Sequence, residues 1–327
     1  NGMSQAYHAA YRAHLLRGKY RHAVRPILVN NWEATYFNFD DRKLDDLAAC
    51  AADLGIEMLV LDDGWFGHRN DDNTSLGDWT VNREKLKGGI EGVAASAHRR
   101  GLKFGLWFEP EMVSKDSDLY RAHPDWVLRA PDAPMSFGRH QLVLDLSRPE
   151  VQDYIVACVS KILETGVVDY VKWDFNRHLT EAFSAGRAPE RQGETKHRYV
   201  LGLYAVLERI TQAFPDVLFE SCSGGGGRFD AGHCAGVRGL QSQQDAQQRG
   251  LAAAGAAHQH HGAFHRPGKT LQNRRTAEAF AEIGYHNAHT RTSPQRRVLA
   301  VRSRAAAAAD SAADSSASGT VEEEADQ

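Results

Sequence analysis

The chain has 327 residues, 42% of them hydrophobic, and a formal net charge of -3. That length holds one large domain or two ordinary ones, and the apolar fraction supplies a sizeable core. The near-balanced charge argues against a nucleic-acid partner or an anionic membrane surface, and no apolar run is long enough to cross a bilayer.

The first stretch, "NGMSQAYHAAYRAHLLRGKY", lacks the continuous apolar core of a signal peptide. It reads as a helical lead-in over residues 1–25. The first residue is Asn1 rather than Met, which leads us to expect a piece of something longer. The four cysteines, Cys50, Cys158, Cys222 and Cys234, are widely spaced and form no C-x-x-C pair. Zinc and disulfide frameworks are therefore not expected, which fits a cytoplasmic protein.

From Pro26 the pattern alternates between apolar runs and helical stretches. "PILVNNW" (26–32) precedes a helix around 41–54. "MLVLDDGW" (58–65) precedes a polar loop and a helix around 90–100. "FGLWFEPE" (104–111) precedes a short helix near 116–122. "LVLDLS" (142–147) runs into an amphipathic helix with Pro149 in its first turn. "YVKWDF" (170–175) precedes a long loop and a helix around 195–213, and "LFESCSGGGG" (218–227) reads as a sixth strand. Continuous apolar strands alternating with helices indicate a parallel sheet covered on both faces.

Two parallel architectures compete. A doubly wound sheet would place a phosphate-binding glycine turn after an early strand. Here "GGGG" (224–227) follows the sixth strand and lacks the G-x-G-x-x-G spacing. A barrel places functional side chains at the C-terminal ends of several strands. The strand ends carry Asn30, Asn31 and Trp32, then Asp62 and Asp63, then Trp107, Glu109 and Glu111. Asp145, Lys172, Asp174, Glu220 and Cys222 follow. The expected fold class is α/β, a (β/α)8 TIM barrel cut short after about six strands and spanning 26–232.

The stretch "VVDYVKWDFNRH" (167–178) ends a buried strand with Lys172, Trp173 and Asp174. Lysine and aspartate are rarely buried unless paired. By the period-two rule Lys172 and Asp174 share a face, and a lysine beside an aspartate keeps it ionised. An ionised carboxylate in a dry site is a nucleophile. The plainer reading of Asp174 is a loop cap, that of Asp62-Asp63-Gly64 a turn, and that of Cys222 a small buried residue. Glu109 and Glu111 are expected to support the reacting groups from behind or to be structural rather than to do direct chemistry, and Trp126 to be a packing residue. The tail histidines His258, His260 and His261 lack the rigid support of a metal site.

Six motifs in order carry a resemblance: "NNWEATYF", "LDDGWFG", "LGDW", "FGLWFEPEMV", "YVKWDFNRH" and "FESCSGGGGRFD". Over about residues 1–232 the chain resembles the family-36 glycoside hydrolases, the bacterial α-galactosidases. The resemblance implies retaining hydrolysis of terminal α-galactosyl units from oligosaccharides such as melibiose or raffinose. It implies Asp174 as nucleophile and Asp62 and Asp63 as ligands of galactose hydroxyls. It places Trp107, Trp32, Arg139, Lys172, Asn176 and Cys222 at substrate-contact positions. Cofactor and metal are both none, and intact family members are often homo-oligomeric. A related α-glycosidase or a galactosyltransferase is the rival within the enzyme class.

The pattern then breaks. Counting from Cys222, the family's acid/base aspartate falls near position 244, where this chain reads Gln243-Gln244-Asp245. Residues 233–327 are of low complexity and show no strand pattern of the earlier kind. A disordered, frameshifted tail without the acid/base is expected there, and with it an impaired enzyme or a non-catalytic remnant.

Overall fold

The computed structural model describes residues 2–16, 18–224, 227, 230 and the backbone of 241–242. Helix α1 (Gly2–His14) leads into β1 (Leu28–Asn30), the short α2 (Trp32–Thr35) and α3 (Asp41–Asp53). Then come β2 (Met58–Leu61), α4 (Gly89–His98) and β3 (Lys103–Phe108). A small excursion follows: β4 (Met112–Ser114), α5 (Asp118–Ala122) and β5 (Gln141–Val143). The chain then forms α6 (Pro149–Leu163), β6 (Tyr170–Trp173), α7 (Thr195–Ala213), β7 (Leu218–Ser221) and β8 (Gln241–Ser242). Local signals start the helices. The Asp40 carboxylate accepts from the Lys43 N–H at the head of α3, the Ser117 hydroxyl does the same for Tyr120 in α5, and Pro149 opens α6.

Six strands form one parallel, curled sheet in the order β1-β2-β3-β6-β7-β8, part of a barrel. This corrects the expectation for 142–147. Gln141–Val143 pairs antiparallel with Met112–Ser114 in a separate two-stranded sheet. The edge of β3 is already occupied, since Gly105–Phe108 pairs with Tyr170–Trp173. Asp145 accordingly leaves the set of strand-end acids: it accepts hydrogen bonds from the backbone and side chain of Ser147 and from Ser184 ahead of α6. A second correction concerns the region after 232. Gln241–Ser242 pairs in parallel with Glu220–Ser221, so a short strand exists where none was expected. The remaining expectations about 233–327, including the tail histidines and Cys234, lie outside the described residues.

The two faces of the sheet follow the alternation of its strands. Leu59, Leu61, Phe104, Leu106, Val171 and Phe219 pack with the helices in one large cluster. Met58, Val60, Tyr170 and Leu218 point the other way, into the barrel, and form a separate small cluster with Tyr20. The lead-in thus plugs the N-terminal end of the barrel. The Tyr20 hydroxyl donates to the Asp216 carbonyl at 2.7 Å, and Lys19 pairs with the Asp216 carboxylate at 2.5 Å just ahead of β7. Within the barrel, Gly105 makes room for the Tyr170 ring: a Cβ there would lie 2.7 Å from Tyr170 Cδ1.

The tightest helix contact is at Gly202, buried on α7. A Cβ at this position would lie 1.8 Å from the Leu146 carbonyl oxygen, which is backbone and cannot rotate away. Gly202→Ala is expected to cost at least about 3 kcal/mol, the upper end of overpacking penalties. A urea titration followed by far-UV circular dichroism reads this as a fall in midpoint at unchanged slope. An unchanged midpoint would mean that α7 does not sit against the segment between β5 and α6.

Candidate active site

The same alternation that sends Met58, Val60, Tyr170 and Leu218 into the barrel sends the next residues in step to its C-terminal mouth. These are Asp62 beyond β2, Trp107 on β3 and Glu109 beyond it, Lys172 on β6 and Asp174 beyond it, and Glu220 on β7 with Cys222 beyond it. Lys172 stands in register with Trp107 on one side and Glu220 on the other. Asp62, Asp63, Glu109, Asp174, Glu220 and Cys222 are all buried. The mouth therefore concentrates five carboxyl groups in a nearly dry space.

Two of the five have cationic partners in direct contact. Arg69, itself buried, grips Asp63 with two parallel bonds, Nε to Oδ1 at 2.5 Å and Nη2 to Oδ2 at 2.7 Å. The Arg69 Nη1 donates to the Thr74 carbonyl at 2.7 Å, which anchors the loop after β2. Burial pushes the Asp63 carboxyl up, and Arg69 pulls against it. Lys172 Nζ donates to Asp62 Oδ2 at 2.8 Å, and Asn30 Nδ2 donates to the same oxygen at 2.5 Å. The Asn31 side chain accepts from the Asp62 N–H at 2.7 Å. Lys172 was expected to stand beside Asp174; its direct partner is instead Asp62.

Asp174 is held by neutral donors. Trp107 Nε1 donates to its Oδ2 at 3.0 Å, and the Phe175 N–H donates to its Oδ1 at 3.0 Å. Burial raises the carboxyl, but the charge of Lys172 and bonds from Trp107, Asn176 and Cys222 outweigh it, so Asp174 sits below the usual aspartate value. Burial by itself lowers Lys172, but Asp62 and Asp174 overcome this and hold it above the usual lysine value. Asp174 is thus ionised at neutral pH with no side-chain cation among the described residues in direct contact, a state that favours nucleophilic attack over ion pairing.

Trp107 lies almost wholly within the protein, 2% exposed, so its hydrogen bond to Asp174 is its main contribution in this structure. Its carbonyl in turn accepts from Trp65 Nε1 at 2.9 Å. Trp32 is half-buried on α2, edge-on to Tyr36 and Phe37. Asn176 is half-buried just beyond Asp174. Arg139 is exposed at the tip of a two-residue hairpin, in which Gly138 and Gln141 exchange backbone bonds at 3.4 and 3.2 Å. Both tip residues, Arg139 at φ 53° and His140 at φ 62°, are left-handed. Such turns usually take Asn or Gly, so Arg139-His140 is a strained choice. It directs the Arg139 charge toward Asp63 and Glu109. His140 lines an open cleft of about 480 Å³ with Asn73, Lys115, Asp116, Arg121 and Phe137.

The other acids serve the frame. Glu111 accepts from Trp173 Nε1 at 2.8 Å and from the Tyr199 hydroxyl, tying β6 to α7. Glu220 Oε2 accepts from the Tyr170 hydroxyl at 2.5 Å inside the barrel, and burial pushes its carboxyl up to about 7. Trp126 is buried and stacks on His123 with ring centroids 3.9 Å apart. Sequence reasoning missed Arg69 and Gln141. The signal for Arg69 was its place in a glycine-bounded loop six residues after Asp63. Gln141 had no signal, since only the pairing of β5 with β4 carries it to the site.

Among the described residues, no helix is long and apolar enough to cross a membrane, no cluster of His, Cys, Asp and Glu could hold a metal ion, and Cys50, Cys158 and Cys222 are in no disulfide bond.

The family model described as "Melibiase" matches residues 1–244. The α-galactosidase AgaA of Geobacillus stearothermophilus is 60% identical over 232 residues, covering 71% of this chain and 32% of that protein. The α-galactosidase Mel36A of Lactobacillus acidophilus is 51% identical over the same share of each chain. A crystal structure of a variant of AgaA in complex with stachyose superposes with a TM-score of 0.72 at 54% identity, covering 79% of this chain and 36% of that one. The chain therefore spans about a third of the length of these relatives, and its matched part holds the strand ends described above. On the match to the family model and on the identity to these glycoside hydrolases, the chain belongs to the melibiase family.

Proposed function

We propose that the barrel mouth cleaves terminal α-galactosyl units from oligosaccharides by double displacement, with Asp174 as the nucleophile. The observation that carries this reading is the setting of Asp174: buried at the barrel mouth, aligned by Trp107 and Phe175, held below the usual aspartate value, and without a contacting cation among the described residues. Asp174 attacks the anomeric carbon and forms a covalent galactosyl-enzyme, which water then releases. Asp62 and Asp63, each pinned by its cation, present fixed carboxylate oxygens to sugar hydroxyls. Asn176, Arg139, Cys222 and Trp32 complete the wall around the sugar. The cleft at His140 receives the outer units, with the exposed Phe137 as a stacking surface. The Arg139-His140 tip joins the two compartments. Crystal structures of AgaA variants in complex with stachyose and with raffinose support this substrate class for the present chain.

Retaining enzymes place a second carboxyl about 5–5.5 Å from the nucleophile to protonate the leaving oxygen. The family's acid would fall near position 244, where the chain reads Gln243-Gln244-Asp245, among residues outside those described. General acid help typically contributes about 10²–10⁴-fold. A nitrophenolate leaves without it, whereas the glucose of melibiose does not. The expected result is a burst of about one nitrophenol per chain from a nitrophenyl α-galactoside, with a galactosyl adduct on the peptide carrying Asp174. Turnover of melibiose should be slower by two to four orders of magnitude than in AgaA. No burst and no adduct would sink the nucleophile assignment. Melibiose turnover equal to that of AgaA would sink the assignment of a missing acid.

A further inference from the structure

Glu109 sits at the centre of the mouth yet has no part in the reaction as proposed above. It is 1% exposed. Its Oε1 accepts two hydrogen bonds, from the Asn176 N–H at 2.5 Å and from Gln141 Nε2 at 2.8 Å. The Asn176 side chain in turn helps to hold the Asp174 carboxyl below its usual value. A continuous chain of contacts thus runs from the β4–β5 excursion to the nucleophile: Gln141, Glu109, Asn176, Asp174.

The charges at the mouth decide the protonation state of Glu109. Asp63 is neutralised by Arg69 and Asp62 by Lys172, both in direct contact. Asp174 is held ionised by four donors and the field of Lys172. Glu109 faces Asp174 from the end of β6 and Asp63 from the end of β2, both negative. From the hairpin it faces only the exposed Arg139. The nearby Arg177 spends its Nη1 on the Ser136 and Gln141 carbonyls at 2.9 and 2.8 Å. Among the described residues a fourth ionised carboxylate here would be buried without a contacting cation, a state that proteins avoid by taking up a proton. The same cluster holds Gln141 Oε1, a buried acceptor with no donor. A carboxylic acid brings an O–H into such a cluster, and a carboxylate brings none.

We propose that Glu109 is held as an uncharged carboxylic acid and, in that form, is the positioning residue for the Asp174–Asn176 turn. The assignment rests on Asp174 being the nucleophile only for its consequence in binding, not for its own test. Burial, then the charge of Asp174, push this carboxyl up to about 8. Ionisation above that point puts a second negative charge against Asp174 and breaks the arrangement.

The test uses the full chain. Near-UV circular dichroism sums the buried indoles, among them Trp107, which is bonded to Asp174, and is followed from pH 6 to 9.5 in the chain and in Trp107→Phe, whose difference isolates the Trp107 signal. The expected result is a transition with a midpoint near 8 in the chain and its absence in Glu109→Gln, which mimics the neutral acid. Glu109→Asp, one methylene shorter, should lose the neutral-pH signal at every pH. Galactose binding, read by titration calorimetry, should weaken roughly tenfold per pH unit above the midpoint in the chain and stay flat in Glu109→Gln. A transition that persists in Glu109→Gln overturns the proposal. So does the absence of any transition, and so does a Glu109→Gln chain that fails to fold, since the neutral isostere must be tolerated. A chain that shows the transition but binds no galactose at any pH leaves Glu109 as assigned and removes the α-galactoside reading instead.

Discussion

Asp174→Asn ends formation of the galactosyl-enzyme, with the nitrophenol burst falling on the order of 10⁴-fold or more, as for other nucleophile deletions. Asn keeps the shape of the side chain and an oxygen that accepts from Trp107 or the Phe175 N–H. It loses the charge and the lone pair that attacks. The substitution should therefore leave folding intact, which thermal unfolding will show, while abolishing the adduct by mass spectrometry. Lys172 is pulled above the usual lysine value by both Asp62 and Asp174, so it keeps its contacting partner in the variant. A burst within tenfold of the unmodified chain would remove Asp174 from the mechanism. Loss of the folded signal would show that the carboxylate is a structural charge.

Arg69→Met has the largest expected effect on stability. The residue is 1% exposed and its guanidinium satisfies both oxygens of a carboxylate that is 3% exposed. Removing one member of a buried pair leaves the other uncompensated, typically at about 3–5 kcal/mol. Against a total stability of about 5–15 kcal/mol this is roughly a fifth or more of what holds a domain together. The Thr74 carbonyl also loses its donor, so the loop after β2 should open. Urea midpoints measure the loss, and the pH dependence separates its cause. If the stranded Asp63 charge is responsible, the variant regains stability as the pH falls and Asp63 takes up a proton. A loss that does not shrink toward pH 4 would assign it to packing of the arginine stem instead. The double variant Arg69→Met/Asp63→Asn should recover part of the loss for the same reason.

Much of the barrel was legible because its signals are local. Continuous apolar runs set the strands at 58–61, 103–108, 170–173 and 218–221, and the helices over 41–53, 149–163 and 195–213 follow their caps and apolar periodicity. The gathering of Asp62, Lys172 and Asp174 was legible because charge at the end of an apolar strand contradicts burial unless it is partnered. The segment around 142 was misassigned for a related reason. Its alternation is that of a strand, but alternation does not name a partner. Gln141 was illegible because nothing in its local sequence says that it is buried, and the loop that holds Arg69 signals its place but not its partner.

The sequence by itself determined which residues share a face. Period two on β2, β3, β6 and β7 carries Asp62, Trp107, Lys172, Asp174, Glu220 and Cys222 to one mouth, because side-chain direction in a strand is fixed by backbone geometry alone. The tertiary structure alone decided who pairs with whom. Lys172 takes Asp62, 110 positions away, rather than Asp174, two positions away. Neighbours two apart on one strand point the same way but stand some 6–7 Å apart along it. A partner across the barrel mouth can come within hydrogen-bond reach. That choice leaves Asp174 and Glu109 without a contacting cation among the described residues. Charge pairing in a dry site depends on distances of a few ångströms, and only the folded sheet sets those.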